Sequence, residues 1–69
     1  MSQRFTISRH IDGQLLFACS TGITHRSHAG VAWRTGANTA TRWDVADRDW
    51  ILSHWPGSMI WSEHWEAAA

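Results

Sequence analysis

From Arg4 to Ile11 the apolar residues Phe5, Ile7 and Ile11 fall on one parity of the chain, while Thr6, Ser8 and His10 fall on the other, and Asp12-Gly13 follows at once. A period of two marks a strand with one face in a core. Asp-Gly is among the strongest short signals for a hairpin turn. A chain that starts this way is committed to an antiparallel sheet. Its second strand is the apolar run Leu15-Leu16-Phe17-Ala18-Cys19.

Two registers are open to this hairpin. A three-residue loop of Ile11, Asp12 and Gly13 sets His10 opposite Gln14, Ile7 opposite Phe17 and Phe5 opposite Cys19. A two-residue loop pairs Ile11 with Gln14 and Ser8 with Phe17. The first gathers Phe5, Ile7, Leu15, Phe17 and Cys19 on one face, and a slip of one residue would expose that whole set, so it is the expected register. Leu16 and Ala18 then line the opposite face, which makes the second strand a central one.

Downstream, Ser20 to Gly30 turns polar and reads as a loop or irregular edge, and Val31 to Thr35 as a third strand closed by Gly36-Ala37-Asn38. The spacing predicts a helix from Asp44 to about His54. Asp44 is a good N-cap, Asp47 suits the positive end of the dipole, and Pro56-Gly57 ends the helix. Trp43, Ala46, Trp50 and either Ile51 or His54 form its expected inner stripe. Met59 to Trp65 alternates again as a last strand, with Met59, Trp61 and Trp65 on one face and Ile60, Ser62 and His64 on the other. The expected fold is α+β: one small domain over residues 1–66, a mostly antiparallel sheet of three or four strands with one helix, in the order β-β-(β)-α-β. Ala67-Ala68-Ala69 reads as a cloning scar or a disordered tail.

Size limits what such a domain can do. At 69 residues and 7.8 kDa, the folded chain should expose roughly 4,400 Å² and bury about 60% of its unfolded surface. A large enclosed active site does not fit. The lone Cys19 cannot form an internal disulfide, which favours a cytoplasmic setting. The longest apolar run, Leu15 to Cys19, is far too short for a signal peptide or a membrane span.

Charge and aromatic content carry what functional information there is. Six Arg balance six Asp plus Glu, yet residues 1–42 hold five of the arginines against Asp12 alone. Residues 43–69 hold the other five acids against Arg48. The preferred reading is that the two halves pack and pair their charges; the other is a basic binding surface.

There is no Gly-x-Ser-x-Gly elbow, no His-Glu-x-x-His and no phosphate loop, so an enzyme is not expected, nor is any cofactor. Cys19, His25 and His28 give a Cys-x5-His-x2-His set. Zinc would need a fourth donor or a water, and surface histidines explain the spacing as well, so no metal site is assigned.

Six tryptophans are the remaining excess. Trp43, Trp50 and Trp61 are expected to make the core, leaving Trp55 and Trp65 with little to cover them and Trp33 undecided. Exposed Trp and Arg are the commonest hot spots of protein interfaces. The sequence therefore points to a non-enzymatic protein-binding module, an adaptor, inhibitor or regulator of a larger protein and a homodimer, with Trp33, Arg34, Trp55, Trp65 and Arg26 as contacts. The alternatives are a nucleic-acid-binding regulator using the Arg-rich first 42 residues, where Arg4-Phe5, Trp33-Arg34 and Arg42-Trp43 interleave charge with rings, and a small metal-binding domain through Cys19, His25 and His28.

Overall fold

A computed structural model describes residues 2–23 and 25–67. It holds strands β1 (Ser2–Ile11), β2 (Gln14–Ser20) and β3 (Val31–Arg34), helix α1 (Val45–His54) and strand β4 (Met59–Glu66). The strands form one antiparallel sheet in the order β3-β2-β1-β4, so β3 and β4 are its edges. The accessible surface is 4379 Å², the value expected for a chain of this mass. This is the small α+β domain that the sequence predicts, with four strands.

The hairpin takes the other register. Ile11 faces Gln14 and Ser8 faces Phe17, because Asp12 and Gly13 both have positive φ, 51° and 77°, as a type I′ turn requires. Asp tolerates the left-handed region through its short polar side chain, so no third loop residue is needed. Every side chain of β1 consequently changes face relative to β2. Phe5 and Ile7 share a face with Leu16 and Ala18, while Leu15, Phe17 and Cys19 share theirs with Thr6 and Ser8.

α1 covers the first of these faces. Its cap is as expected, the Asp47 N–H donating to the Asp44 carboxylate at 2.7 Å. Ile7, Ala18, Trp43 and Ile51 are buried together, and Val31, Trp33, Trp50, Leu52 and Trp55 pack around them. The inner stripe of the helix is thus centred on Ile51, not on Ala46, which is exposed. Trp43 misleads the phase: Asp44 is extended at ψ 176°, so a residue before it is not on the helical spiral.

Trp43 instead enters the core through the sheet. Beyond Ser8 and Phe17, β1 and β2 splay apart, and residues 41–43 fill the opening. The Thr41 N–H donates to the Ala18 carbonyl at 3.1 Å, and Phe5 and Trp43 exchange two backbone hydrogen bonds of 2.8 and 2.7 Å. The Trp43 indole N–H donates to the same Ala18 carbonyl at 3.2 Å. Ahead of this segment, a short 3-10 turn at Ala37–Thr39 sits against Cys19, whose thiol donates to the Thr39 carbonyl at 3.3 Å.

The second face of the sheet has no helix. Its cover is Trp61. Thr6 faces Ser62 and Ile7 faces Ile60, so Trp61 is the extra residue of a β-bulge. Its indole meets Phe17 edge-on, with centroids 5.2 Å apart. Reaching β2 from β4 means crossing β1, about 10 Å at ordinary strand spacing, and the small side chains Thr6 and Ser8 leave room for that crossing. Trp61 is therefore not in the core under α1, contrary to expectation. The bulge also breaks the alternation of β4, so that Trp65 lies on the helix-covered side, with Ile60 and Glu63.

Candidate functional site

The residues expected to meet a partner are distributed over four places. Trp33 and Trp55 are half-buried beside the core, with rings 5.6 Å apart at 74°. The Arg9 guanidinium lies 5.6 and 5.3 Å from these two rings, and its Nε donates to the Pro56 carbonyl at 2.8 Å. His28 packs on Trp55 at 4.6 Å, and His54 stacks on Trp50 at 4.3 Å. The indole N–H groups of Trp33 and Trp55 are buried without an acceptor, so neither is presented to a ligand. These two rings close the edge of the core.

Arg26 is held by Asp47 at 2.8 Å. It borders a cavity of about 50 Å³ with His25, Ser27, Asp47 and Trp50, large enough for a few waters but well below the several hundred Å³ of small-molecule sites. Arg34 is exposed at the far edge, opposite Phe17. Trp65, on β4, is 62% exposed.

The Arg–ring neighbours in sequence are separated by the strands. Arg4 and Phe5 point to opposite faces, as do Trp33 and Arg34. The guanidinium over Phe5 belongs to Arg48, at 4.3 Å. Among the described residues, Arg4 and Arg42 pair with Glu66 at 3.9 and 3.2 Å, Arg26 with Asp47 and Arg48 with Asp49. Three of these four pairs join the basic first half of the chain to the acidic second half, so the sequence asymmetry is largely resolved by packing. Among the described residues, Arg34 is the one arginine with neither a carboxylate nor an aromatic ring against its guanidinium.

Cys19, His25 and His28 do not come together. Cys19 is buried on the open face under Thr39, whereas His28 lies against Trp55 on the helix side. Among the described residues no three His, Cys, Asp or Glu side chains are grouped to hold a metal. No helix there is long and apolar enough to cross a membrane.

What the sequence reading missed is β4. Met59, Ile60, Trp61 and Trp65 are 52, 40, 50 and 62% exposed. They make up four of the six large exposed apolar side chains of the described residues, the others being Ile23 and Val45. The clue was the unbroken run Met59-Ile60-Trp61: three apolar residues in a strand cannot all face one side. On the open face Met59 lies opposite Ser8, and His10 is the next residue of β1 on that face.

β4 is also the sheet edge with a long free backbone. Both backbone groups of Phe5 are taken by Trp43, so the Phe5↔Glu63 pair makes no ladder bonds. Antiparallel pairs alternate. The N–H and C=O groups of Ser62 and His64 therefore point in to β1, and those of Glu63 and Trp65 point out.

Compared with models of known protein families, with curated proteins and with solved structures, the chain matches none.

Proposed function

We propose that this protein is a non-enzymatic protein-binding module, an adaptor, inhibitor or regulator of a larger protein, working in the cytoplasm, with β4 as its docking element. The supporting observation is the concentration of exposed apolar side chains on one edge strand, β4. Proteins blunt such edges with Lys, Pro, bulges, charges or a covering segment, and among the described residues β4 has the bulge at Trp61 and the charges of Glu63 and Glu66. Here there is no Lys in the chain and no Pro in the strand, and Met59, Ile60 and Trp61 offer anchors on both sides of the sheet. Of the contacts named from sequence, Trp65 stays on this strand, while Arg34 is exposed on β3 at the opposite edge of the sheet. Trp33, Trp55 and Arg26 are engaged internally.

The alternative of nucleic-acid binding is disfavoured by the same geometry, since among the described residues Arg34 is the one unengaged arginine and net charge is zero, while such binders depend on a basic footprint. The test is affinity purification from the native host with wild type and with Met59→Glu/Ile60→Glu. Both side chains are solvent-facing, so the fold should be unchanged by circular dichroism. Loss of a stoichiometric partner in the variant supports the reading. A partner retained by this variant but lost with Arg26→Glu/Arg34→Glu overturns it.

A further inference from the structure

We infer that the C-terminal half of β4 pairs with a second copy of itself, antiparallel across a two-fold axis through Trp65, joining two sheets into one of eight strands. The inference rests on β4 as the docking element and names one of its partners.

The free edge is self-complementary in only one register. Facing residues must lie on the same side of the sheet and must alternate between bonded and non-bonded pairs. Four two-fold centres between Glu63 and Glu66 satisfy both conditions. A centre at Glu63 or at Glu66 sets two carboxylates opposite each other, which is destabilising. A centre at His64 sets His64 against His64 of the second copy and Glu63 against an indole. A centre at Trp65 sets indole against indole and His64 against Glu66 of the second copy, twice, with Glu63 opposite Ala67.

Aromatic pairs are a favourable cross-strand combination, and an imidazole N–H can donate to a carboxylate directly opposite it. The backbone agrees, because Trp65 has its N–H and C=O directed outward and can exchange both with its twin. Glu66 would then lie between Arg4 and Arg42 of its own chain and His64 of the second copy, adding a cation-compatible neighbour without displacing either pair. Zero net charge puts no long-range repulsion in the way. The contact is smaller than the ~1,200–2,000 Å² of a standard interface, so association should be concentration-dependent. It leaves Met59, Ile60 and Trp61 uncovered, one docking surface on each copy.

Cross-linking reads the register directly. In a non-bonded antiparallel pair the Cα atoms are about 4.5 Å apart, within disulfide reach. His64→Cys mixed with Glu66→Cys under mild oxidation should give the mixed disulfide, with neither variant cross-linking alone; Cys19 is buried on β2 and does not compete. Sedimentation of the wild type should rise from monomer toward dimer with concentration, and Trp65→Ala should shift that transition at least about tenfold upward, the equivalent of 1.4 kcal/mol.

A homodisulfide from His64→Cys alone overturns the register. Wild type that sediments as a monomer throughout overturns the pairing, even where Met59→Glu/Ile60→Glu still abolishes capture of another protein and so upholds β4 as a docking element. Dimerisation that Trp65→Ala leaves unchanged also overturns it.

Discussion

The two faces of this sheet are closed by different means. Under α1, an aliphatic and aromatic layer of Ile7, Ala18, Trp43 and Ile51 is sealed by a capped helix and reinforced by Trp33, Trp50 and Trp55. On the other side a single bulged indole, Trp61, spans two small residues to reach Phe17, and a 3-10 turn covers Cys19. Phe17, Ser8 and Thr6 are nonetheless 4, 1 and 5% exposed, so the open face buries its centre nearly as fully as the helix face does. The difference lies in redundancy. Many side chains close one side, whereas the centre of the other rests on one indole that leaves half of its own surface in water.

Removing a side chain should therefore have different consequences on the two faces. Ile51→Ala opens a cavity between helix and sheet where Ile51 is 1% exposed, and burial of that kind is worth about 2–5 kcal/mol. A domain of this length has only about 3–10 kcal/mol in total. The urea midpoint should fall by a large fraction of its value, and the variant can be mostly unfolded in buffer. A loss below about 1 kcal/mol would mean that α1 is not the principal seal.

Trp61→Ala comes next. Full truncation of a buried Trp costs about 3–5 kcal/mol; with half of this indole already in water the expected loss is about 2 kcal/mol. The distinguishing readout is local: amide exchange should accelerate at Ser8 and Phe17 on the open face and stay slow at Ile7 and Ala18. Uniform acceleration would show that the two faces open together and that the contrast between them has no energetic content.

The same contrast explains what could be read from sequence. The helix was legible because its limits are local chemistry, Asp44 at one end and Pro56-Gly57 at the other. The strands were legible from period two, and the pairing of basic and acidic halves from charge order. Hairpin register was not, because Asp12-Gly13 serves a two- or three-residue loop and the choice depends on which strand face a distant helix covers. The bulge at Trp61 has no local signature, and it alone separates Trp61 from Trp65. The insertion of Trp43 between β1 and β2 is likewise a tertiary event. Sorting six indoles into covered and exposed thus failed at Trp55 and Trp61, whose surroundings come from elsewhere in the chain, and left Trp33 undecided for the same reason. It succeeded at Trp43, inside a sheet that needed filling, and at Trp65, opposite Gln3 on the edge strand.

A smaller effect tests how firmly α1 is seated. Asp44→Ala removes the acceptor of the Asp47 N–H, and loss of such a cap costs about 1 kcal/mol. Protection should decrease in the first turn of α1 and at Trp43, with the open face unaffected. Unchanged stability would indicate that the Phe5–Trp43 backbone pair, not the cap, fixes where the helix begins.

The smallest expected effect is the most pointed, because it asks whether the open face is packed or merely shielded. The Ser8 hydroxyl is buried beneath Trp61 with no hydrogen-bond partner, whereas its neighbour Thr6 is bonded to Ser62 at 2.6 Å and Ser62 in turn to His64 at 2.8 Å. A buried hydroxyl without a partner carries a desolvation cost that an apolar replacement avoids. Ser8→Ala should therefore be neutral or stabilising by up to about 1 kcal/mol, while Thr6→Val, of equal shape, should lose about 1 kcal/mol by breaking the Thr6–Ser62 bond. Opposite signs for two adjacent-row hydroxyls on one face would fit a dry, close layer under Trp61. A destabilisation by Ser8→Ala comparable to that of Thr6→Val would mean that water reaches Ser8, and that Trp61 screens this face without sealing it.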